Sequence, residues 1–285
     1  MSTIKAASIQ MKCVEDKKKN LAKAIGLIEM AAERGSELIF LQELFNTTWF
    51  PKDADSDNFQ LAEREDGEAI SELRNIAAKT STVIAAPFFE EGVEGLYFNS
   101  TAVIDENGGL IGIYRKTHIP QIPLYEEGYY FAAGDLGFPV FETKFGKIGV
   151  QICWDNFYPE GSRILALKGA RIIFAPTAAA FASQERWKTV ISANAIVNGV
   201  FIFRANRVGN EEKHRFYGES FCVDPTGELL EHPSGTGDGI YEVEIDLSLV
   251  QQTRRDFPYL KGRRQEMYGT LAGLELQPEG QESNK

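Results

Sequence analysis

A single mixed α/β domain is predicted for this chain, on three observations. Apolar runs short enough to be strands alternate with segments of helical period through most of the sequence. The alternation occurs twice, once in each half. No linker-like stretch and no short-period repeat interrupts it. The 285 residues, 43% hydrophobic and 25% charged, suffice for one large core. The domain is expected over residues 1–265, with 266–285 as a polar C-terminal tail.

In order, residues 4–10 (IKAASIQ) read as the first strand. Residues 17–34 place Leu21, Ala24, Ile25, Ile28, Ala31 and Ala32 on one helical face, with Gly35 as the stop. A buried strand is predicted over 37–41, a helix over 67–79 and a short strand over 82–87. Residues 97–104 and 110–114 flank Asp105-Glu-Asn-Gly-Gly109, a hairpin signal. The second half repeats the scheme, with strands at 138–142 and 147–152 around Lys144-Phe-Gly146. A helix after Pro159, a strand at 171–175, a helix over 184–198 and a strand at 200–205 follow. Strands at 218–223, 228–231 and 239–246 end the domain.

Composition removes several functions. The net charge of −11 (30 basic, 41 acidic residues) repels nucleic acid and anionic membranes as a whole. Lys17-Lys-Lys19 is too short to track a phosphate backbone. No apolar run approaches the ~18 residues of a membrane span, and no signal-peptide pattern opens the chain. Cys13, Cys153 and Cys222 are odd in number and widely spaced, which fits a reducing cytoplasm. Three histidines and the lack of CxxC or HExxH argue against a metal site, and no cofactor motif is present.

Cys153 ends the apolar run Ile148-Gly-Val-Gln-Ile152 and precedes Trp-Asp-Asn-Phe-Tyr-Pro-Glu. That places its thiol on a strand-to-helix turn, where backbone N–H groups favour thiolate and oxyanion. A lone cysteine there would more often be core filler. Glu43, in Phe40-Leu-Gln-Glu-Leu44, and Lys116, in Tyr114-Arg-Lys-Thr-His-Ile-Pro120, also follow strands. Each alone would read as a strand-end surface charge, although a buried unpaired carboxylate is costly enough to need a purpose. Rival constellations are weaker. No GxSxG occurs, Gly235-Thr-Gly-Asp-Gly239 precedes a strand and reads as a turn, and His118 reads as a structural, hydrogen-bonded side chain.

Taken together, Gln42-Glu43-Leu44, Arg115-Lys116 and Ile152-Cys153-Trp154 resemble, in order and spacing, the Glu–Lys–Cys motifs of the nitrilase superfamily. The resemblance spans about residues 3–265. It implies a four-layer α-β-β-α sandwich with pseudo-two-fold halves and a pocket at strand ends. It also implies Cys153 as nucleophile, Glu43 as general base then acid, and Lys116 with the Trp154 backbone N–H as oxyanion stabilisers. Tyr125-Glu-Glu-Gly-Tyr-Tyr-Phe131 resembles the segment carrying a second acid. Glu127 is the better match, with Glu126 one residue away; this acid should bond Lys116 and orient the substrate nitrogen. Homo-oligomers, dimers or larger, are implied, built on the helix after Pro159 and residues 181–203.

Within the superfamily, residues 42–45, 114–120, 153–155, 159–160 and 261–264 look like the N-carbamoylputrescine amidase branch. That implies a small-molecule substrate and the reaction N-carbamoylputrescine to putrescine, carbon dioxide and ammonia. The alternatives are an N-carbamoyl-β-alanine or N-carbamoyl amino acid amidohydrolase, an ω-amidase, and an acyltransferase using the same thioester. The branch usually carries glycine after Ala-Pro-Thr, where this chain has Ala175-Pro-Thr-Ala-Ala-Ala-Phe181. Trp49, Trp154, Asp155, Thr177 and Ala178 are the expected substrate contacts, and none is basic. An ammonium tail is therefore expected to outperform a carboxylate tail by at least ~100-fold in catalytic efficiency. Arg186 or Arg204, folded into the pocket, would undo that expectation.

Overall fold

The computed structural model describes residues 3–93, 95–180 and 182–273. The first half runs β1 (Thr3–Gln10), α1 (Lys17–Glu33), β2 (Leu38–Leu41), α2 (Glu68–Thr80), β3 (Val83–Glu91), β4 (Tyr97–Ile104) and β5 (Leu110–Arg115). A small hairpin, β6 (Gln121–Ile122) and β7 (Tyr125–Glu126), leads into the one-turn helix α3 (Glu127–Tyr130). The second half runs β8 (Val140–Thr143), β9 (Gly146–Val150), α4 (Pro159–Leu167), β10 (Ile172–Thr177), α5 (Gln184–Asn198) and β11 (Phe201–Asn206). It closes with β12 (Val208–Glu211), β13 (His214–Tyr217), β14 (Phe221–Val223), β15 (Leu229–Leu230), β16 (Gly239–Asp246) and α6 (Ser248–Asp256).

Two six-stranded sheets result, ordered β16-β1-β2-β3-β4-β5 and β8-β9-β10-β11-β14-β15. Each has three parallel strands, one antiparallel strand on one flank and two on the other. The two halves thus share one topology, which is the pseudo-symmetry the resemblance implied.

Parallel strands covered on both faces must be apolar throughout, and β2 (LIFL) is buried along its whole length. Its alternate residues divide between two layers. Leu38 and Phe40 enter the core between the sheets, while Ile39 and Leu41 meet the α1 and α2 side. Phe40 stacks on Phe174 of β10 at 4.6 Å and lies 5.0 Å from Phe203 of β11, joining the sheets at their centres. Helices α1 and α2 bury Leu21, Ala24, Ile28, Ile70 and Leu73 against the first sheet, and Leu165, Trp187 and Ile191 of α4 and α5 pack on the second. The expected four-layer sandwich is the fold.

Local signals explain the helix ends. The Asp16 carboxylate accepts from the Lys18 and Lys19 N–H groups and starts α1. Gly199, at φ +56°, closes α5 in the left-handed conformation that glycine tolerates. The largest differences from the sequence reading are short polar elements. The β12–β13 hairpin and α6 have little apolar periodicity: α6 buries only Val250 and Thr253. Strand β3 runs on to Glu91, whereas β9 stops at Val150, leaving Gln151 and Ile152 outside the ladder. The short 3₁₀ turns Gln265–Met267 and Gly269–Ala272 span the start of the expected tail (266–285), of which 274–285 lie outside the described residues. No helix among the described residues is long and apolar enough to cross a membrane.

Candidate active site

The ends of β2, β5, β9 and β10 supply Glu43, Lys116, Cys153 and Ala178 respectively. Ligands in α/β sheets favour this carboxyl edge, where side chains leave the ladder. Lys116 is held there by its backbone: its N–H donates to Asn99 O at 2.8 Å and its carbonyl accepts from Gly134 N at 2.8 Å. Residue 134 must be glycine at this approach, because a Cβ would lie 2.2 Å from Arg115 O.

Glu43, Lys116 and Glu127 are fully buried and form one chain of charge. Lys116 Nζ donates to Glu43 Oε1 at 3.0 Å and to Glu127 Oε2 at 2.6 Å. Asn99 Nδ2 donates to the same Glu43 oxygen at 2.8 Å. The second oxygens, Glu43 Oε2 and Glu127 Oε1, have no protein partner. Buried acceptors left open in this way suit the N–H groups of a ligand. Glu126 instead accepts from Gln121 Nε2, so Glu127 is the acid that meets the lysine.

Burial sets the protonation states. It pushes the Glu127 carboxyl up to about 7, against the pull of Lys116, and Glu43 adds to the rise. It works to lower the Lys116 ammonium, but Glu127, Glu43 and Cys153 outweigh it and hold that pKa above the ordinary lysine value. The Cys153 thiol is pushed well above its usual value by burial and then by Glu43, with Lys116 opposing. A thiol held protonated needs a base at the moment of attack, and the Glu43 carboxylate is close enough for its charge to raise the thiol pKa.

Cys153 opens a short 3₁₀ turn (Cys153–Phe157) at φ +48°, a left-handed conformation uncommon for a non-glycine residue. Asp155 braces that turn. Its carboxylate accepts from Ile152 N (3.0 Å), Tyr114 OH (2.6 Å), His118 N (2.9 Å) and His118 Nδ1 (2.8 Å). Asp155 is thus fully buried and bonded on the side away from the cavity, which corrects its reading as a substrate contact. His118 is structural, as expected, stacked on Tyr158 at 3.7 Å.

Cys153 and Glu127 line a cavity of about 260 Å³ whose walls include Tyr125, Trp154, Phe157 and Trp187. Ala178 also lines it. Trp154 and Ala178 both reach the cavity. Thr177 and Trp49 do not. The Thr177 hydroxyl bonds Asn206 Oδ1 at 3.0 Å behind the loop. Trp49 sits behind Tyr125, ring centroids 5.4 Å apart, and lines a separate groove. Phe181 lies outside the described residues.

The expectation of a lining free of basic groups is also corrected. Arg186, in the first turn of α5, lines the cavity. Arg204 does not: it is buried with its guanidinium 4.9 Å from the Trp187 ring and bonded to Tyr217 OH at 2.8 Å.

Sequence reasoning missed Asn99 and the pair Arg207–Glu211. Arg207 is fully buried and donates to the carbonyls of Glu43, Leu44 and Thr47 and to Glu211 Oε1. It fixes the segment after β2, in which Leu44 adopts φ +50°. The pattern Arg207-x-x-x-Glu211 lies in the polar hairpin and carries no local motif. Only its neighbours 160 or more positions away give it a role.

A family model described as carbon-nitrogen hydrolase matches residues 5–255. The N-carbamoylputrescine amidase of Solanum lycopersicum is 35% identical to this chain, covering 95% of it and 96% of that protein. The citrullinase of Francisella tularensis is 36% identical, covering 95% and 99%. Among solved structures, a carbon-nitrogen hydrolase from Helicobacter pylori G27 superposes with a TM-score of 0.91 at 35% identity, covering 95% of this chain and 98% of that one.

Proposed function

The chain belongs to the carbon–nitrogen hydrolase family, and on that premise we propose that it is an amidohydrolase that releases ammonia from the terminal carbamoyl group of small N-carbamoyl amines, N-carbamoylputrescine among them. The observation that carries this reading is Lys116 bridging two buried carboxylates, each with one open oxygen, beside the Cys153 cavity. As Glu43 takes the thiol proton, Cys153 Sγ attacks the carbamoyl carbon and the oxygen gains charge facing the Lys116 ammonium. The bond to the terminal nitrogen breaks, Glu43 returns the proton to it, and ammonia leaves a carbamoyl thioester on sulfur. Glu127 Oε1 holds that nitrogen through its N–H groups. Glu43 then deprotonates a water, the hydroxide cleaves the thioester, and Glu43 returns the proton to sulfur. The freed carbamic acid divides into amine and carbon dioxide.

The two named relatives support a shared reaction on different tails. A carbamoylated diamine and a carbamoylated α-amino acid have the same terminal group and differ by a carboxylate. The test is ammonia release from N-carbamoylputrescine, N-carbamoyl-β-alanine and glutaramate. Turnover of the carbamoyl compounds above glutaramate is expected. Turnover of glutaramate alone would replace this reading with an ω-amidase.

Two further expectations arise here. The chemistry above uses a thiol, an acid and an ammonium, and no group of three His, Cys, Asp or Glu side chains among the described residues could hold a metal ion. Prolonged chelation should leave the rate unchanged; loss of activity that zinc restores would refute the mechanism.

The second concerns assembly. Val197, Tyr259, Tyr268 and Leu271 surround one apolar groove beside α4, and each is at least partly exposed. This supports a homo-oligomer built on that face. Light scattering should give at least twice the 31.8 kDa chain mass, and a value at the chain mass would refute it. The three unpaired cysteines support a reducing, cytoplasmic setting.

A further inference from the structure

Arg186 is the one basic side chain lining the catalytic cavity among the described residues. Its acidic neighbour Glu185 turns away to Lys188, at 3.0 Å, and no described carboxylate pairs with Arg186 itself. The other charged group on the lining, Glu127, is bonded to Lys116. The remaining walls are mostly apolar and aromatic, so a polar tail leaving Cys153 finds few charged partners before Arg186.

We propose, resting on the carbamoyl reaction above, that Arg186 is a specificity-determining residue that receives a carboxylate at the far end of the substrate. The preferred substrate class is then an N-carbamoyl amine that also bears a carboxylate. Three features support it. A guanidinium presents paired N–H donors matched to a carboxylate, and that match is lost on an ammonium. The apolar walls shield one side of the pairing from water, while Arg186 itself is exposed at the cavity mouth. An α-ammonium on the same tail can lie against Trp154, Phe157 or Trp187, which an added carboxylate does not prevent. A tail ending in ammonium alone meets Arg186 as a like charge, and that lowers its affinity.

The experiment compares kcat/KM for four compounds of similar reach: butylurea, N-carbamoylputrescine, N-carbamoyl-5-aminovalerate and citrulline. The carboxylate-bearing pair is expected to exceed N-carbamoylputrescine by at least about tenfold. In Arg186→Gln the ratio of N-carbamoyl-5-aminovalerate to butylurea should fall by about tenfold, and in Arg186→Glu the order of ammonium and carboxylate tails should invert. Lys188→Gln, which removes a neighbouring cation off the lining, should keep the wild-type ratio.

A wild-type preference for N-carbamoylputrescine, or a ratio that Arg186→Gln leaves in place, overturns the proposal while the carbamoyl reaction stands. Absence of ammonia from all four, butylurea included, overturns the reaction itself and the carboxylate subsite with it.

Discussion

Replacing Cys153 with alanine or serine is expected to lower ammonia release by at least ~10³-fold while leaving the fold unchanged. The serine variant is the sharper case, since it is nearly isosteric with cysteine. Burial already pushes the Cys153 thiol well above its usual pKa, and a hydroxyl is a far weaker acid still. Glu43 could therefore not deprotonate it. Cys13→Ser and Cys222→Ser should retain activity, because neither thiol lines the cavity with Glu127.

Alkylation gives an independent readout. Iodoacetamide should modify Cys153 first, substrate should protect it, and the rate should climb into the alkaline range as the raised thiol ionises. Cys13, pushed up to about 11, and the fully buried Cys222 should react later. Inactivation with label concentrated on Cys222 would reject the assignment, as would an active Cys153→Ala protein.

The fold and most of the charged centre are legible in the amino-acid sequence, for a physical reason. Parallel strands such as β2 and β10 are buried along their whole length, and charged or nucleophilic groups stand just past strand ends, where polarity changes abruptly. Glu43, Lys116 and Cys153 each mark such a change. What surrounds them is not local in sequence. Asp155 and Trp154 are neighbours, yet the tight turn at Cys153 sends one into the Tyr114–His118 network and the other to the cavity. Thr177 and Ala178 divide in the same way, because alternate residues of an extended segment point to opposite sides. Arg186 was visible as a charge on a helix, but which face the helix offers to the pocket depends on how α5 packs on the second sheet.

Glu127→Gln is expected to lower kcat/KM by about 100-fold, by removing an anion aimed at the reacting nitrogen. Its pH behaviour distinguishes that role from mere packing. In the wild type, the Glu127 carboxyl sits at about 7, raised first by burial and further by Glu43, with Lys116 opposing. The ionised form accepts from the substrate N–H groups, so kcat/KM should rise with pH through that value. Glutamine does not titrate, and its profile should be flat across the same range.

The stability consequence runs the other way. A carboxyl whose pKa is raised on folding contributes stability that is complete below its unfolded value of about 4.5 and is lost as pH rises through about 7. The wild type should therefore lose stability relative to Glu127→Gln between those limits. The Tm of the variant minus that of the wild type should grow more positive from pH 5 to pH 8. A difference that shrinks over this interval would mean that Lys116, not burial, governs Glu127. In that case its pKa lies below the ordinary carboxylate value, and the rise in kcat/KM through pH 7 belongs to another group.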